Sequence, residues 1–589
     1  MKNRVLLLIL LGFLLVVELA GYQFKIDWAN PQLVDTDCYM RLVRVEQLYM
    51  DGDWYDHAIH RSNWPQGEIL HWSRLLDIIL LAGAYIGCPF VGFKASLFWW
   101  GMIVSPILHV ACMAGLLWAA RSVFELDTTF RLGLIFLGQA GIWGYCYIGR
   151  SDHHSLLLLL FILLLGCCFR MFDDRYDCIK YSRYAGTIAA IAMWVSVESV
   201  SAIVMILGVL SVLWVWKVEL SRSKAEGFTL ALLLSSVIYF FVENPPVQVF
   251  AVVYDKLSIV HIVIFLVISL FWVHTRFVKY NSRFARAGAG IILLCILGAV
   301  LGCCFPGFFK GPFAGIDSRI VPIWLSQVQE VQPLWEWSQK GFAKMLLLIG
   351  PVTICLPYAI YIAINRRKSF PKEWLWFMAG MAVYVPLALY QLRWAAYAEV
   401  VLLFPTAFIL QNCLKRIESL NKECWRSIVR VVVTIVFCVG YGSVALLVQP
   451  TEQDANTVTI TKATKFLNEL QVLEAGPKTI ITDIDFGPEI LYRTPHRVIA
   501  TPYHRNGDGI ILVHQVMSAQ EDSEAYKLIK QRDADLILLS PAMKTKFQGN
   551  TFCGRLLSGQ YPNWLKPIDL PDYLQGEILL YEVVRNDNN

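Results

Sequence analysis

Charge is scarce in this sequence. Only 16% of its 589 residues are Asp, Glu, Lys or Arg, while 56% are hydrophobic and the mean hydropathy is +0.51. Soluble globular chains carry about a quarter charged residues, so this balance excludes an ordinary soluble enzyme and points to many membrane spans. The net charge of +5 is spread in short basic groups between apolar runs and lacks the clustered basic face of a nucleic-acid binder, so no nucleic-acid partner is expected. Fifteen cysteines are present, yet no Cys-x-x-Cys pair or metal-finger spacing occurs. Cys112, Cys167, Cys168, Cys295 and Cys438 sit inside apolar runs, where cysteine acts as a small hydrophobe. The apolar run after Met1-Lys2-Asn3-Arg4 lacks a small-x-small cleavage site and reads as an uncleaved first span. Neither an internal repeat nor a low-complexity stretch is evident.

What the chain has in abundance is apolar runs of about twenty residues, the length that crosses a bilayer. Lys2 and Arg4 are taken as cytoplasmic, and the basic loops are kept on that side by the positive-inside rule. Spans then fall near 5–21, 95–120, 132–149, 156–169, a hairpin over 185–216, 228–242, 258–274, 287–302, 343–364, 374–390, a run ending near 410, and 427–448. The run Leu75 to Tyr85 is read as an interfacial or re-entrant helix, because counting it as a span would put the basic Arg121 to Arg131 loop outside. The expected fold class is a polytopic α-helical membrane protein of about thirteen transmembrane helices over residues 1–448, with long outer loops at 22–93 and 303–341. Residues 449–589 are polar, with strand-like runs at 479–482, 534–539 and 577–581 and a helix-like stretch from Asp522 to Lys530. They are expected to form a C-terminal mixed α/β soluble domain on the outer side.

This topology carries Asp37, Asp152, His154, Glu330 and Arg393 to one face of the membrane from four separate connections. Asp35 and Asp37 follow the first span and read either as a helix-capping cluster or as a cation site. Carboxylates and imidazole offer oxygen and nitrogen ligands to a divalent ion. An arginine at a span end can grip phosphate with two N–H groups. Singly, each has an ordinary reading: His153-His154 as a structural pair, Glu330 as a loop acid, Arg393 as a snorkelling side chain, and Glu198 as a partly buried structural acid near its turn. Together, metal ligands and an arginine beside a lipid phase are equipment for handling a lipid-linked phosphate leaving group.

The same stretches resemble one family in order along the chain. Asp37-Cys38-Tyr39-Met40-Arg41 is similar to the Asp-x-Tyr/Trp-x-x-Arg stretch in the first outer loop of oligosaccharyltransferase catalytic subunits. Ser151-Asp152-His153-His154 stands where that family has Tyr-Asp-x-Glu/Asp. Ser326-Gln327-Val328-Gln329-Glu330-Val331-Gln332-Pro333 resembles its S-V-S-E-H-Q-P, and Leu392-Arg393-Trp394-Ala395-Ala396-Tyr397-Ala398 resembles its Leu-Arg-Phe-x-x-Tyr-Ala. Trp64-Pro65-Gln66-Gly67 is similar to its Tyr-Pro-Leu-Gly. The resemblance implies a C-type glycosyltransferase fold and transfer of a sugar or oligosaccharide from a polyprenyl-(di)phosphate carrier to an acceptor, with inversion at the anomeric carbon. It implies a divalent metal, Mg2+ or Mn2+, held by Asp37, Asp152, His154 and Glu330, with the three acids as catalytic residues. Arg393 is the expected contact to the carrier phosphate, and Arg41, His153 and Trp64 are further expected substrate contacts.

Two departures shape the functional reading. His154 replaces the second acid of its motif, and the tail has no W-W-D-Y-G; its nearest stretch is Asp485-Phe486-Gly487. The tryptophan pair that would read an Asn-x-Ser/Thr sequon is absent, so a protein hydroxyl, another peptide motif, a lipid or a polysaccharide are all open as acceptors. The alternatives are a transferase using a polyprenyl-monophosphate sugar on lipid A or polysaccharide, and an O-antigen polymerase or transporter without metal chemistry. A short basic N-terminus and an outer soluble tail suit a bacterial inner membrane, with site and tail facing the periplasm among membrane lipids.

Overall fold

A computed structural model describes residues 2–25, 30–218, 220–334, 341–365, 372–418, 423–440, 443, 455–469 and 476–584. The expected domain boundary at 448/449, the basic Arg366-Arg367-Lys368 loop and the final residues 585–589 lie outside them.

The chain is a polytopic helical membrane protein with a small C-terminal α/β domain. Among the described residues, seven helical segments are long and apolar enough to cross a membrane: Arg74–Val91, Phe93–Ala120, Val197–Val215, Ser221–Glu243, Arg283–Cys304, Glu373–Tyr390 and Leu392–Ile417. An eighth is the pair Gly341–Ile349 and Val352–Asn365, bent by 51° at Gly350-Pro351. Leu8–Glu18, His154–Arg170 and Ile259–His274 are shorter apolar helices. The expected count of about thirteen also drew on Leu126–Phe136 with Ala140–Cys146, on Cys178–Val195 and on Glu423–Val439, which are shorter, broken or less apolar.

One expected element is longer than its apolar run. The segment read as an interfacial Leu75–Tyr85 helix belongs to an 18-residue helix, Arg74–Val91, with the length and hydropathy of a span. Within it Asp77 is fully buried and paired to Arg44 at 2.8 Å, Arg74 at 3.3 Å and Arg41 at 3.4 Å. Buried charges persist when they are paired and hydrogen-bonded, and such partners are invisible in local hydropathy.

The C-terminal domain holds a five-stranded sheet built from β3 (Thr479–Ile481), β4 (Arg497–Val498), β5 (Leu536–Leu539), β6 (Leu565–Pro567) and β7 (Leu579–Val583); β1 (Ala58–Ile59) and β2 (Glu68–Ile69) form a separate ribbon near the N-terminus. The sheet order is β4-β3-β5-β7-β6, parallel across its first three strands and antiparallel beyond them. β3 and β5 are buried at every residue, which explains their unbroken apolar runs.

This domain is seated on one end of the bundle through residues 61–68. Arg61 donates to the carbonyls of Leu491 at 2.7 Å and Thr494 at 2.8 Å, closing the C-terminal end of helix Gly487–Arg493 where a cation is favoured. The Trp64 amide donates to the Val498 carbonyl, and the Val498 amide donates to that of Arg61. Beneath them Glu68 is buried and accepts from Ser62 at 2.6 Å and from Thr501.

Candidate functional site

The site begins at the helix Thr36–Asp51. Asp35 stands just before it in extended backbone and accepts from the Cys38 amide at 3.1 Å, satisfying one of the free N–H groups of the first turn. Gly52, at φ +67°, ends the helix in the left-handed region where glycine carries no Cβ penalty. The capping and site readings therefore divide between neighbours: Asp35 caps, and Asp37, in the first turn, is left to face the site.

The second wall is the turn 147–153. Gly149, at φ +80°, donates to the Met102 carbonyl at 2.8 Å and accepts from the Val34 amide at 3.0 Å. Ser151 donates to the Cys38 carbonyl at 3.1 Å, and Ser105 donates to that of Arg150. These bonds fix Arg150, Asp152 and His153 against the start of the Asp37 helix. The third wall is the short turn Gln329–Val331, which carries Glu330. It is pinned where Gln332 accepts from the Leu392 amide at 3.0 Å and Leu334 donates to the Leu389 carbonyl.

Asp152 is buried and its Oδ1 lies 2.5 Å from His153 Nδ1, while Oδ2 lies 3.4 Å from His154 Nε2. His154 Nε2 is also 3.5 Å from Glu330 Oε2, and its ring stacks on Tyr145 and on His153. Arg150 reaches Glu330 at 3.2 Å and Asp35 at 3.4 Å. Arg393 donates to Glu198 at 2.8 Å. From the C-terminal domain, the buried Tyr503 hydroxyl faces Asp37 without closing a hydrogen bond.

The electrostatics are uneven. Burial, reinforced by the carboxylates of Asp152, Asp35 and Glu330, pushes the Asp37 carboxyl well above its ordinary range. Burial alone would also raise Glu330, but His154, Arg150 and Arg393 hold it down to about 2. Asp152 is likewise held low against its burial by His153 and His154. Asp37 is thus the acid with repulsion and no strong cation beside it.

These residues fit a divalent metal. Ligand atoms of Asp152, His153 and His154 lie within 4.8 Å of one another, and His154 Nδ1 is buried without a hydrogen-bond partner. Oxygen donors with an imidazole suit Mg2+, Mn2+ or Zn2+, and a cation would relieve the crowding at Asp37.

Asp37, Asp152, His153, His154 and Glu330 therefore come together, with Arg393 near enough to lower Glu330. Two other expected contacts stand differently. Arg41 is buried, paired to Asp77, and stacked 4.0 Å over the Trp72 ring. Trp64 lies under the Arg497 guanidinium at 3.8 Å, at the seam with the C-terminal domain. Sequence reasoning passed over Arg150, although an arginine in a turn expected to lie outside runs against the positive-inside bias and signals a partnered charge. It read Glu198 as structural, and nothing local ties that residue to Arg393. Tyr503 carries no sequence signal.

No protein-family profile matches the chain, and neither does any curated protein. Solved structures do. The archaeal oligosaccharyltransferase AglB from Archaeoglobus fulgidus, in complex with an inhibitory peptide and a dolichol-phosphate, superposes with a TM-score of 0.71 at 13% identity, over 92% of this chain and 70% of that one. The Archaeoglobus fulgidus enzyme in complex with Zn and sulfate gives 0.67 at 13% identity, over 92% and 68%. ArnT from Cupriavidus metallidurans, in the apo state, gives 0.51 at 11% identity, over 97% of each chain.

Proposed function

The chain has the C-type membrane glycosyltransferase fold, and from that premise we propose that it transfers a sugar or oligosaccharide from a polyprenyl-(di)phosphate carrier to an acceptor. The observation that carries the reading is the meeting of Asp37, Asp152, His154 and Glu330 with Arg150 and Arg393 at the end of the bundle where the C-terminal domain sits. The bundle supplies a lipid phase for the carrier, and the cluster supplies both signs of charge at its edge.

In this reading the acceptor's nucleophilic atom attacks the anomeric carbon as the bond from that carbon to the phosphate oxygen breaks, inverting the centre. The electron pair leaves with the phosphate, where Arg393 receives the developing charge in exchange for part of its pairing with Glu198. Arg150, clamped by Asp35 and Glu330, holds positive potential at the same mouth. The acceptor's proton passes to a carboxylate of the cluster as the new bond forms. Asp37, Asp152, His154 and Glu330 would hold the divalent metal, which when bound supplies Lewis-acid polarisation of the reacting oxygens.

The setting we propose is a bacterial inner membrane, with site and C-terminal domain facing the periplasm. A second reading, transfer from a polyprenyl-monophosphate sugar to lipid A or polysaccharide, is favoured by the missing tryptophan pair in the tail. The decisive assay uses purified full-length protein and a labelled lipid-linked sugar: Asp37→Ala and Glu330→Ala should each abolish transfer, and wild-type transfer by both variants refutes the proposal. Mass analysis of glycoproteins and lipids from a deletion strain separates the two acceptor classes.

A further inference from the structure

We infer that His71, Asp255 and His504 form a second divalent-metal site, of the zinc class, that fastens the C-terminal domain to the membrane part. The three come from segments far apart in the chain: the loop after the ribbon, the connection before helix Ile259–His274, and the stretch that follows Tyr503. Their ligand atoms all lie within 4.8 Å of one another. Two imidazoles and a carboxylate are the donor set of a three-ligand zinc centre, and imidazole favours zinc over magnesium or calcium.

Three further observations support a ligand there. His71 Nδ1 is buried without a hydrogen-bond partner, in a ring 4.7 Å from that of His504. Buried polar atoms are rarely left unpaired, so an orphan nitrogen beside two other donors asks for a ligand. The Asp255 carboxylate is already oriented: His504 lies 2.7 Å from Oδ2, and Arg505 donates to Oδ2 at 2.9 Å and to Oδ1 at 2.5 Å. A ligating carboxylate held by such an outer partner is the usual support of a metal site. Asp255 and His504 also line a cavity of about 590 Å3 with Asp317 and Asp508, leaving room for a fourth, exchangeable ligand. The acid cluster at Asp37 uses none of these residues, so the inference stands apart from the proposed reaction.

The test is zinc stoichiometry on the full-length chain in detergent, stripped with a chelator and reloaded with Zn2+. Wild type should hold one equivalent more than His71→Gln/His504→Gln, and Zn2+ should raise its thermal midpoint more than the variant's. Equal stoichiometry in the two proteins overturns the site. Because the double variant can fail to fold, His504→Cys is loaded with Co2+ in parallel. A thiolate-to-cobalt charge-transfer band absent from wild type supports the site, and its absence overturns it.

Discussion

The pair Asp35 and Asp37 allows charge, capping and chemistry to be separated by three substitutions two residues apart. Asp35→Asn keeps a side-chain oxygen that can accept from the Cys38 amide, but deletes the charge that faces Arg150 at 3.4 Å. Asp35→Ala deletes both. Loss of an N-cap costs about 1 kcal/mol, and a partly exposed ion pair contributes about 0.2–1 kcal/mol. Asp35→Ala should therefore destabilise the protein by about 1–2 kcal/mol, and Asp35→Asn by no more than about 1 kcal/mol. Asp37→Asn removes a carboxyl that caps nothing and repels its neighbours, so it should leave stability unchanged or raise it. Its transfer rate should nevertheless fall by about 10²–10³, the usual effect of deleting one preorganised charge-handling group. Thermal unfolding in detergent and turnover of a labelled lipid-linked sugar read the two effects separately. A destabilised Asp37→Asn with normal turnover, or an Asp35→Asn as inactive as Asp37→Asn, would refute this division of labour.

Arg393→Lys keeps the positive charge but not the planar fork, and should lower turnover with a weaker effect on donor KM, whereas Arg393→Ala should impair both; steady-state kinetics against donor concentration distinguishes them. Chelation should abolish transfer, and Mg2+ or Mn2+ should restore it, as read by the same assay after dialysis. Glu68 is buried at the seam, and burial pushes its carboxyl from 4.5 to about 7. A raised acid stabilises the folded form fully below pH 4.5, and that contribution is lost as pH rises through about 7. Thermal midpoints should carry this fall across the window in wild type, and Glu68→Gln should flatten it.

Much of the site was legible because it sits on connections between apolar runs, whose expected side of the membrane follows from flanking charge. Asp37, Asp152, His154 and Glu330 needed only the positive-inside rule to be placed on one face, and their meeting in space agrees with that placement. The strands of the tail were legible for a related reason: Thr479–Ile481 and Leu536–Leu539 are buried on both faces and so read as apolar runs. Long-range pairing was not legible. Glu198 meets Arg393 across 195 positions, and Tyr503 reaches Asp37 only once the C-terminal domain is seated. Helix Arg74–Val91 was read as the shorter run Leu75 to Tyr85 and as interfacial because of the basic Arg121 to Arg131 loop, and the burial of Asp77 among Arg41, Arg44 and Arg74 had no local signal. Arg41 has a motif's position, but its guanidinium is engaged by that same aspartate.

The grip of Arg61 on the end of helix Gly487–Arg493 joins positions 433 apart in the chain. A ribosome adding about 5–20 residues per second makes the second partner roughly 20–90 s after the first. During that interval Ser62 and Glu68 can meet each other, but Arg61 has neither the Leu491 nor the Thr494 carbonyl and Glu68 lacks Thr501. The seat of the C-terminal domain therefore closes only after residues 491–494 have been made, and a chain truncated before them leaves Arg61 without those two carbonyls.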